Sequence, residues 1–220
     1  MTPELPPPPR AVLFDWDNTL VDTWPVIHDA MNTTLDAMGH PAWTIEETRQ
    51  RVRRALREAF PDLFANRWEE ARDIFYERFR EIHLERLAVR PGAEALLSTM
   101  ADRIGYLGVV SNKSGEHLRK EAEHLGWNRF FGRLVGATDA PRDKPAIEPV
   151  ELALKGSGVR PGGDVWFVGD TGIDLECGHN SGCIKILVRE NPPTKSEFND
   201  FPPDLYFPDC YALEALVSRY

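Results

Sequence analysis

The 220-residue sequence has no apolar run that approaches the roughly 20 residues needed to cross a bilayer, which argues against a membrane protein. Its first ten residues contain five prolines and one leucine, so they lack the apolar segment of a secretory signal peptide. Only three cysteines are present, and their odd number and spacing argue against a disulfide framework or a zinc site. We therefore expect a cytoplasmic protein without a membrane partner.

Positive charge is also scarce, because 26 Lys and Arg residues face 35 Asp and Glu residues and give a net charge of −9. Binding to a nucleic-acid backbone requires a basic surface, so the composition argues against a nucleic-acid partner. The length fits one large domain or a core that carries an insert. A negative net charge would repel an anionic substrate, so such a substrate would have to be attracted by positive charge at the binding site itself.

The apolar pattern divides the chain into a leader, a helical region and a core of mixed elements. The proline run within residues 1–10 favours an extended helix without internal hydrogen bonds, and predicts a flexible leader. Residues 11–14 form a short continuous apolar run, which is typical of a strand buried on both faces. Residues 22–90 have helical periodicity throughout. We predict that they form a helical domain inserted after the first strand.

Helix boundaries within this region are predicted from capping and breaking residues. Thr44 and Glu47 have the spacing of a capping box, which predicts a helix that begins there and continues to about Ala59. Pro61 is then expected to break the chain. Asn66 is expected to begin the next helix, which carries an apolar stripe.

Five arginines crowd the second predicted helix of this region, at positions 49, 51, 53, 54 and 57. Arg49, Arg53 and Arg57 share one helical face. They could form a surface that binds an anionic leaving group through bidentate contacts. A solvated helix face supported by intrahelical ion pairs is the alternative that we favour.

Beyond residue 91 the predicted helices and strands alternate. Strands are predicted at residues 106–110, 134–135, 165–168 and 184–188, and helices at residues 93–101, 116–125, 147–155 and 211–219. Such alternation indicates parallel strands joined by right-handed crossovers. The fold class is therefore α/β, a doubly wound parallel sheet, with a core formed by residues 11–21 and 91–220.

Polar residues follow several of these strands, and ligands bind open parallel sheets beyond the carboxyl ends of the strands. The residues at these strand ends, or in the loop between strands, are Asp15, Asp17, Ser111, Asn112, Lys113, Lys144, Asp170 and Asp174. Two carboxylates held together repel, so that one protonates readily while the other stays ionised. Carboxylates with few other ligands suit Mg²⁺, and a helix N-terminus after Lys113 attracts phosphate.

With these residues the chain resembles the haloacid dehalogenase superfamily, and most of all its helical-cap members of the phosphoglycolate phosphatase-like group. Four signatures occur in order: Asp15-Trp16-Asp17-Asn18-Thr19, then Ser111, then Lys144, then Gly169-Asp170 with Asp174. The resemblance implies a Rossmann-like core, a helical cap over residues 22–90, and a phosphatase that acts on a small phosphorylated metabolite. The oligomeric state stays open between a monomer and a homodimer.

The resemblance assigns a role to each matching residue. Asp15 would be the nucleophile that forms an aspartyl-phosphate, and Asp17 would be the general acid and base. Ser111, Lys144 and the backbone N–H of Asn112 would hold the phosphoryl oxygens, although Lys113 could also reach them. Magnesium would be bound by the Asp15 carboxylate, the Asp17 carbonyl oxygen, Asp170 and Asp174.

Two departures weaken the assignment to a subgroup. Asn18 stands where many relatives have glycine, and Glu176-Cys177 replaces the small residues expected after Asp174. Three other functions stay open: a phosphomutase of the same superfamily, a 5′-nucleotidase, which would differ in its substrate, and a catalytically silent binding module.

Overall fold

The computed structural model describes residues 7–52 and 56–220, with the side chains of residues 56–58 left aside. Residues 1–6 of the predicted leader, and Arg53 and Arg54 of the arginine cluster, lie outside the described residues. Contacts along the chain define two compact units, one formed by the chain up to Val21 together with Val89–Tyr220, the other by Asp22–Ala88. Within the described residues, no helix combines the length and the apolar character that a membrane span requires.

The described residues form eight strands. They are β1 (Ala11–Phe14), β2 (Val21–Asp22), β3 (Ala88–Val89), β4 (Leu107–Ser114), β5 (Arg133–Ala137), β6 (Val165–Gly169), β7 (Ile184–Val188) and β8 (Leu205–Phe207). The same residues form nine α-helices. They are α1 (Trp24–Ala37), α2 (Ile45–Arg51), α3 (Leu56–Phe64), α4 (Trp68–Ile82), α5 (Ala93–Arg103), α6 (Gly115–His124), α7 (Glu148–Leu154), α8 (Gly172–Asn180) and α9 (Cys210–Val217).

Six of the strands form a parallel sheet in the order β5-β4-β1-β6-β7-β8. The chain runs outward from β1 to β5 on one side and then returns to β6 on the other, which makes the sheet doubly wound. The apolar run of β1 lies in the middle, and all four of its residues are fully buried. One apolar cluster joins Leu13 and Phe167 of the sheet to Val150 of α7 and Cys177 of α8. The predicted α/β fold class is confirmed.

Four elements of this unit and its boundary differ from the expectations. Helix α8 was not predicted, because its buried positions include Asp174 and Gly178 and so give no apolar stripe. Strand β8 was not predicted, because it has three half-buried residues at the sheet edge. The two-residue strands β2 and β3, which pair where the chain passes between the units, carry too short a pattern to detect.

The helical unit is held together by an apolar core to which α1, α3 and α4 contribute, including Leu35, Phe60 and Phe75. The predicted capping box is present, because the Thr44 hydroxyl accepts from the Glu47 N–H at 3.1 Å and the Glu47 carboxylate accepts from the Thr44 N–H at 2.8 Å. The predicted helix to Ala59 was wrong, since α2 ends at Arg51 and α3 begins at Leu56.

Pro61 was expected to break the chain, and this prediction was wrong because Pro61 lies inside α3. A proline there removes one helical hydrogen bond. The neighbouring Phe60 is 1% exposed and Phe64 is 5% exposed. Burial of these two rings, at about 1.5–3 kcal/mol each, offsets the lost bond.

Candidate active site

Strand register explains why polar residues converge at one edge of the sheet. Phe14, the last residue of β1, lies opposite Val109 of β4 and Val168 of β6. Asp15, which directly follows Phe14, is therefore level with Val110 of β4 and Gly169 of β6. The next residues along these two strands are Ser111 and Asp170. The reversal in strand order beside β1 makes this edge the expected ligand site of a doubly wound sheet.

The Asp15 side chain is buried at this edge, with 8% of its surface exposed. Its Oδ1 lies 2.6 Å from Nζ of Lys144, and its Oδ2 accepts a longer bond of 3.3 Å from the Thr19 hydroxyl. Burial raises the pKa of Asp15 to about 7, Lys144 opposes the shift, and the charges of Asp174 and Asp17 add to it. The carboxylate is thus positioned, but its negative charge is poorly compensated.

Asp15, Asp170 and Asp174 form a cluster in which one carboxylate oxygen of each lies within 4.8 Å of the others. Burial raises the pKa of Asp170 well above its ordinary value, and the charges of Asp174 and Asp15 raise it further. The only cation that pairs with the cluster through the described contacts is Lys144. When all three acids are ionised, two negative charges are left over. Hard oxygen donors with this charge fit one divalent cation.

Lys144 bridges two of the three acids and is itself buried, with its Nζ 2.6 Å from Asp15 Oδ1 and 2.7 Å from Asp174 Oδ1. Burial alone would lower the pKa of this ammonium group, but Asp15 and Asp174 outweigh it and the net direction is upward. Lys144 therefore stays charged at any physiological pH. It supplies a fixed positive charge to an otherwise acidic pocket of side chains.

Asp174 is held from both sides. Its Oδ1 faces Lys144, and its Oδ2 accepts from the Thr171 N–H at 3.0 Å and from the Thr171 hydroxyl at 2.7 Å. Gly169 allows this arrangement, because a Cβ at that position would overlap the Asp174 side chain. Since its oxygens already have protein donors, Asp174 is better placed to orient the cluster than to act as its principal ligand.

Ser111 and Asn112 lie in the last part of β4, where the register shifts between Val110 and Ser114. The Ser111 side chain is buried, and its oxygen accepts from the Lys113 N–H at 3.2 Å. The Asn112 side chain pairs reciprocally with the backbone of Lys144, accepting at 3.0 Å and donating at 3.1 Å. Sequence reasoning considered only the Asn112 backbone, and the contact that fixes the Lys144 loop comes from its amide side chain.

The Asp17 carboxylate is not one of the three clustered acids, and its Oδ1 pairs with Nζ of Lys113 at 2.7 Å. The two lysines left open by the sequence therefore serve different partners, Lys144 at Asp15 and Lys113 at Asp17. Asn18, which directly follows Asp17, has a φ of 62°. Asparagine tolerates this left-handed conformation better than most residues other than glycine, so the departure at this position is compatible with the turn.

Three side chains of this region were not assigned a role from the sequence. The Thr19 hydroxyl lies 3.3 Å from Asp15 and 3.3 Å from Asp170, and so links the two acids. Trp16 and Glu121 are fully buried and joined by a hydrogen bond of 2.7 Å. The sequence feature that could have indicated this pair is the charged Glu121 at a position of α6 where the helical period calls for an apolar residue.

Arg49 and Arg51 of the predicted cluster are described within the helical unit. The Arg49 guanidinium lies 6.0 Å from the centre of the Trp24 ring, and Arg51 lies 4.7 Å from the Trp43 ring. Arg51 also pairs with Glu47 of its own helix at 3.0 Å. These contacts support the interpretation as a helix face with local partners, while the proposed role in binding a leaving group stays a prediction.

Comparison with known proteins identifies the class. A family model for haloacid dehalogenase-like hydrolases matches residues 12–188. The chain therefore belongs to the haloacid dehalogenase-like hydrolase family. The resemblance seen in the sequence and the predicted enzyme class, a phosphatase of this family, are confirmed.

Individual relatives match most of the chain. A phosphoglycolate phosphatase of Chromobacterium violaceum is 28% identical over 188 residues, with 81% of this chain and 84% of the relative covered. A candidate pyrophosphatase, PpaX, of Clostridium perfringens is 27% identical over 210 residues, with 96% and 98% covered. A haloacid dehalogenase-like family hydrolase of Streptococcus pneumoniae has the same fold, with a TM-score of 0.81, 21% identity, and 96% and 98% covered.

Proposed function

We propose that this protein is a magnesium-dependent phosphatase that hydrolyses a small phosphomonoester through an aspartyl-phosphate on Asp15. The observation that carries the proposal is the buried Asp15 carboxylate, which pairs with Lys144 and clusters with Asp170 and Asp174 beyond the carboxyl ends of the strands. The names of the relatives, a phosphoglycolate phosphatase and a candidate pyrophosphatase, support a small phosphorylated substrate.

Asp15, Asp170 and the Asp17 carbonyl oxygen would hold Mg²⁺, with Asp174 oriented behind them by Thr171 and Lys144. The hard oxygen donors and the two uncompensated negative charges of the cluster fit this ion. When bound, the ion supplies positive charge for the phosphoryl oxygens and keeps Asp15 ionised.

In the first step, an Asp15 oxygen forms a bond to phosphorus while the ester P–O bond breaks. Asp17 gives its proton to the departing oxygen, so that an alcohol leaves. In the second step, Asp17 takes a proton from water, whose oxygen bonds to phosphorus while the bond to Asp15 breaks. Phosphate leaves, and both aspartates return to their starting states.

Ser111, the Asn112 N–H and the Lys144 ammonium would hold the phosphoryl oxygens during both steps. Ser111 and Lys144 are buried, Lys144 contacts Asp15, and the Asn112 amide fixes the loop that carries Lys144. Because phosphoryl transfer has a loose transition state with spread charge, fixed donors at these oxygens account for most of the rate enhancement.

The proposal is tested by measuring phosphate release from a panel of phosphorylated metabolites, with Mg²⁺ and with a chelator. We expect turnover that requires Mg²⁺ and that Asp15→Asn abolishes. The matched control is Asp200→Asn, the same chemical change at an exposed site. Wild-type rates in a folded Asp15→Asn variant would contradict the mechanism.

The same panel separates the three alternatives. A phosphomutase would convert one sugar phosphate into its isomer without net phosphate release. A 5′-nucleotidase would prefer nucleoside monophosphates over the other esters. A protein that binds Mg²⁺ but hydrolyses none of the esters would be a silent binding module.

A further inference from the structure

Beside the Asp15 cluster lies a second buried charge network, formed by Trp16, Asp17, Lys113 and Glu121. The Lys113 ammonium lies 2.7 Å from Asp17 Oδ1, 2.8 Å from Glu121 Oε1 and 2.6 Å from Glu121 Oε2. The Trp16 indole N–H donates to Glu121 Oε2 at 2.7 Å. The Lys113 and Glu121 side chains are 5% and 1% exposed. The network thus connects α6 to the loop that carries Asp15 and Asp17.

Glu121 occupies a position that folding alone would give to an apolar residue. The buried residues of α6 are Gly115, Leu118, Glu121 and Ala122, which form one stripe facing the sheet. A buried ion pair adds little stability over well-packed apolar residues, because the desolvation of both charges offsets their attraction. The presence of Glu121 in this stripe therefore needs an explanation other than stability.

The geometry supplies one. An ammonium group has three N–H donors, and Lys113 directs them at three carboxylate oxygens. Two of these donors point to the two Glu121 oxygens. Glu121 is itself fixed by Trp16, whose ring packs edge-on against Trp127 at 5.7 Å. The third donor points to Asp17. Lys113 is therefore held so that it fixes the position of the Asp17 carboxylate.

We propose that Lys113 is a positioning residue for Asp17, and that Glu121 and Trp16 hold Lys113 in place for this purpose. The inference rests on the proposed function, in which Asp17 transfers the proton to the leaving group. It assigns Lys113 to the proton-transfer residue rather than to the substrate phosphate. General acid catalysis contributes roughly 10²–10⁴-fold, and small displacements of the acid cost much of this.

The test uses two esters that differ in their need for a proton. An alkyl phosphate, such as glycerol phosphate, has a poor leaving group that must be protonated. A nitrophenyl phosphate has a good leaving group that departs as an anion. The ratio of kcat/KM for the two esters reports on the acid step alone, since kcat/KM covers events up to the first phosphoryl transfer.

We expect Lys113→Met to lower kcat/KM for the alkyl ester by roughly tenfold or more and to change that for the nitrophenyl ester by less than about threefold. Glu121→Gln is expected to have a smaller selective effect, and Trp16→Phe, which keeps an aromatic ring but removes the N–H, the smallest. Asp17→Asn provides the reference for complete loss of the acid. Lys120→Met on the exposed side of α6, where Lys120 pairs with Glu116, is the matched control.

Lys113→Met leaves Glu121 buried without its cation, and this variant can lose its fold. The double variant Lys113→Met/Glu121→Leu removes both charges and is expected to fold, because apolar replacement of a buried pair is often neutral. It should show the same selective loss on the alkyl ester. If both variants unfold, the network serves the fold and the inference is overturned.

An equal loss on both esters, expressed mainly in KM, would also overturn the inference, because it would place Lys113 on the substrate phosphate. The proposed function fails separately. If the wild type hydrolyses no ester of the full panel, or if Asp15→Asn retains activity, the phosphatase mechanism itself is wrong. If Asp15→Asn is inactive and Lys113→Met shows no selectivity, only the positioning role is wrong.

Discussion

The two compact units bury different kinds of side chain. The α/β unit buries five charged groups near its strand ends: Asp15, Lys113, Glu121, Lys144 and Asp174. Among the described residues, the buried polar side chains of the helical unit are Thr23, Thr34, Thr48 and His83, and its apolar core includes Leu35, Phe60 and Phe75. Its Asp29–Arg78 pair at 2.6 Å remains partly exposed.

The two units therefore differ in whether their buried side chains include ionisable groups that a reaction could use. Buried charges cost free energy unless they are paired, so they persist where a reaction requires them. All the residues proposed to act in catalysis lie in the α/β unit, whereas apolar side chains form most of the core of the helical unit. Four predictions test this comparison, from the largest expected effect to the smallest.

Lys144→Met is expected to cause the largest loss. It removes the ammonium group that pairs with Asp15 and Asp174 and leaves their carboxylates buried together. Removing one partner of a buried pair costs about 3–5 kcal/mol, and turnover should also be lost. The measurement is urea unfolding with a chelator present, together with phosphate release.

Arg78→Met in the helical unit is the matched control, because it removes a cation from a partly exposed pair with Asp29. Its effect on the free energy of unfolding, measured in the same urea experiment, should be much smaller. An equal loss of unfolding free energy in the two variants would contradict the distinction between buried and partly exposed charge pairs.

Phe75→Ala should lower the free energy of unfolding by about 3–5 kcal/mol, because it opens a cavity in the apolar core of the helical unit. The affinity for Mg²⁺, measured by titration calorimetry below the unfolding temperature, should stay at the wild-type value. All three clustered carboxylates belong to the other unit. A weaker Mg²⁺ affinity would show that the cluster depends on the helical core.

Gly169→Ala should weaken Mg²⁺ binding roughly tenfold, because a Cβ there displaces the Asp174 side chain that orients the cluster. Gly163→Ala is the control, since its Cβ would meet no atom within 4 Å. Calorimetry of both variants checks the prediction. An unchanged Mg²⁺ affinity in Gly169→Ala would show that Asp174 does not orient the carboxylates that bind the metal.

The smallest effect concerns pH. The pKa of Asp15 rises from 3.8 to about 7 on folding without metal, so the metal-free protein loses stability as pH rises through this range. Protons and Mg²⁺ compete for the same carboxylates, so the rise in Tm caused by Mg²⁺ should be larger at pH 8 than at pH 6. A Tm rise that is independent of pH would contradict this assignment.

Short apolar runs made the central strands predictable from the sequence. Val12 and Phe167 lie in runs that are buried on both faces, and the polar residues after these runs marked the site edge. The parallel pairing of β1 with β6, which places Asp15 level with Gly169 and so next to Asp170, was also expected from the sequence. The same reasoning missed α8, whose inward face is partly polar because Asp174 belongs to the site.

Contacts between residues distant in sequence were not predictable from pattern. The choice of partner by the two lysines is one example. Both Lys113 and Lys144 follow polar motifs, and only the fold shows that Lys113 pairs with Asp17 and Lys144 with Asp15. The Asn112 side chain that fixes the Lys144 loop is another. Pro61 shows the opposite error, since a strong local signal was overridden by aromatic packing.

The central claim is that Asp15 carries the phosphoryl group during turnover. The most direct measurement is to mix the enzyme with a hydrolysed ester and Mg²⁺, quench with acid within one turnover, and examine the peptide containing Asp15 and Asp17 by mass spectrometry. We expect a phosphoryl group on Asp15 that disappears when substrate is exhausted and is absent in Asp15→Asn. A peptide that stays unmodified throughout turnover, or a phosphoryl group on Asp17, would contradict it.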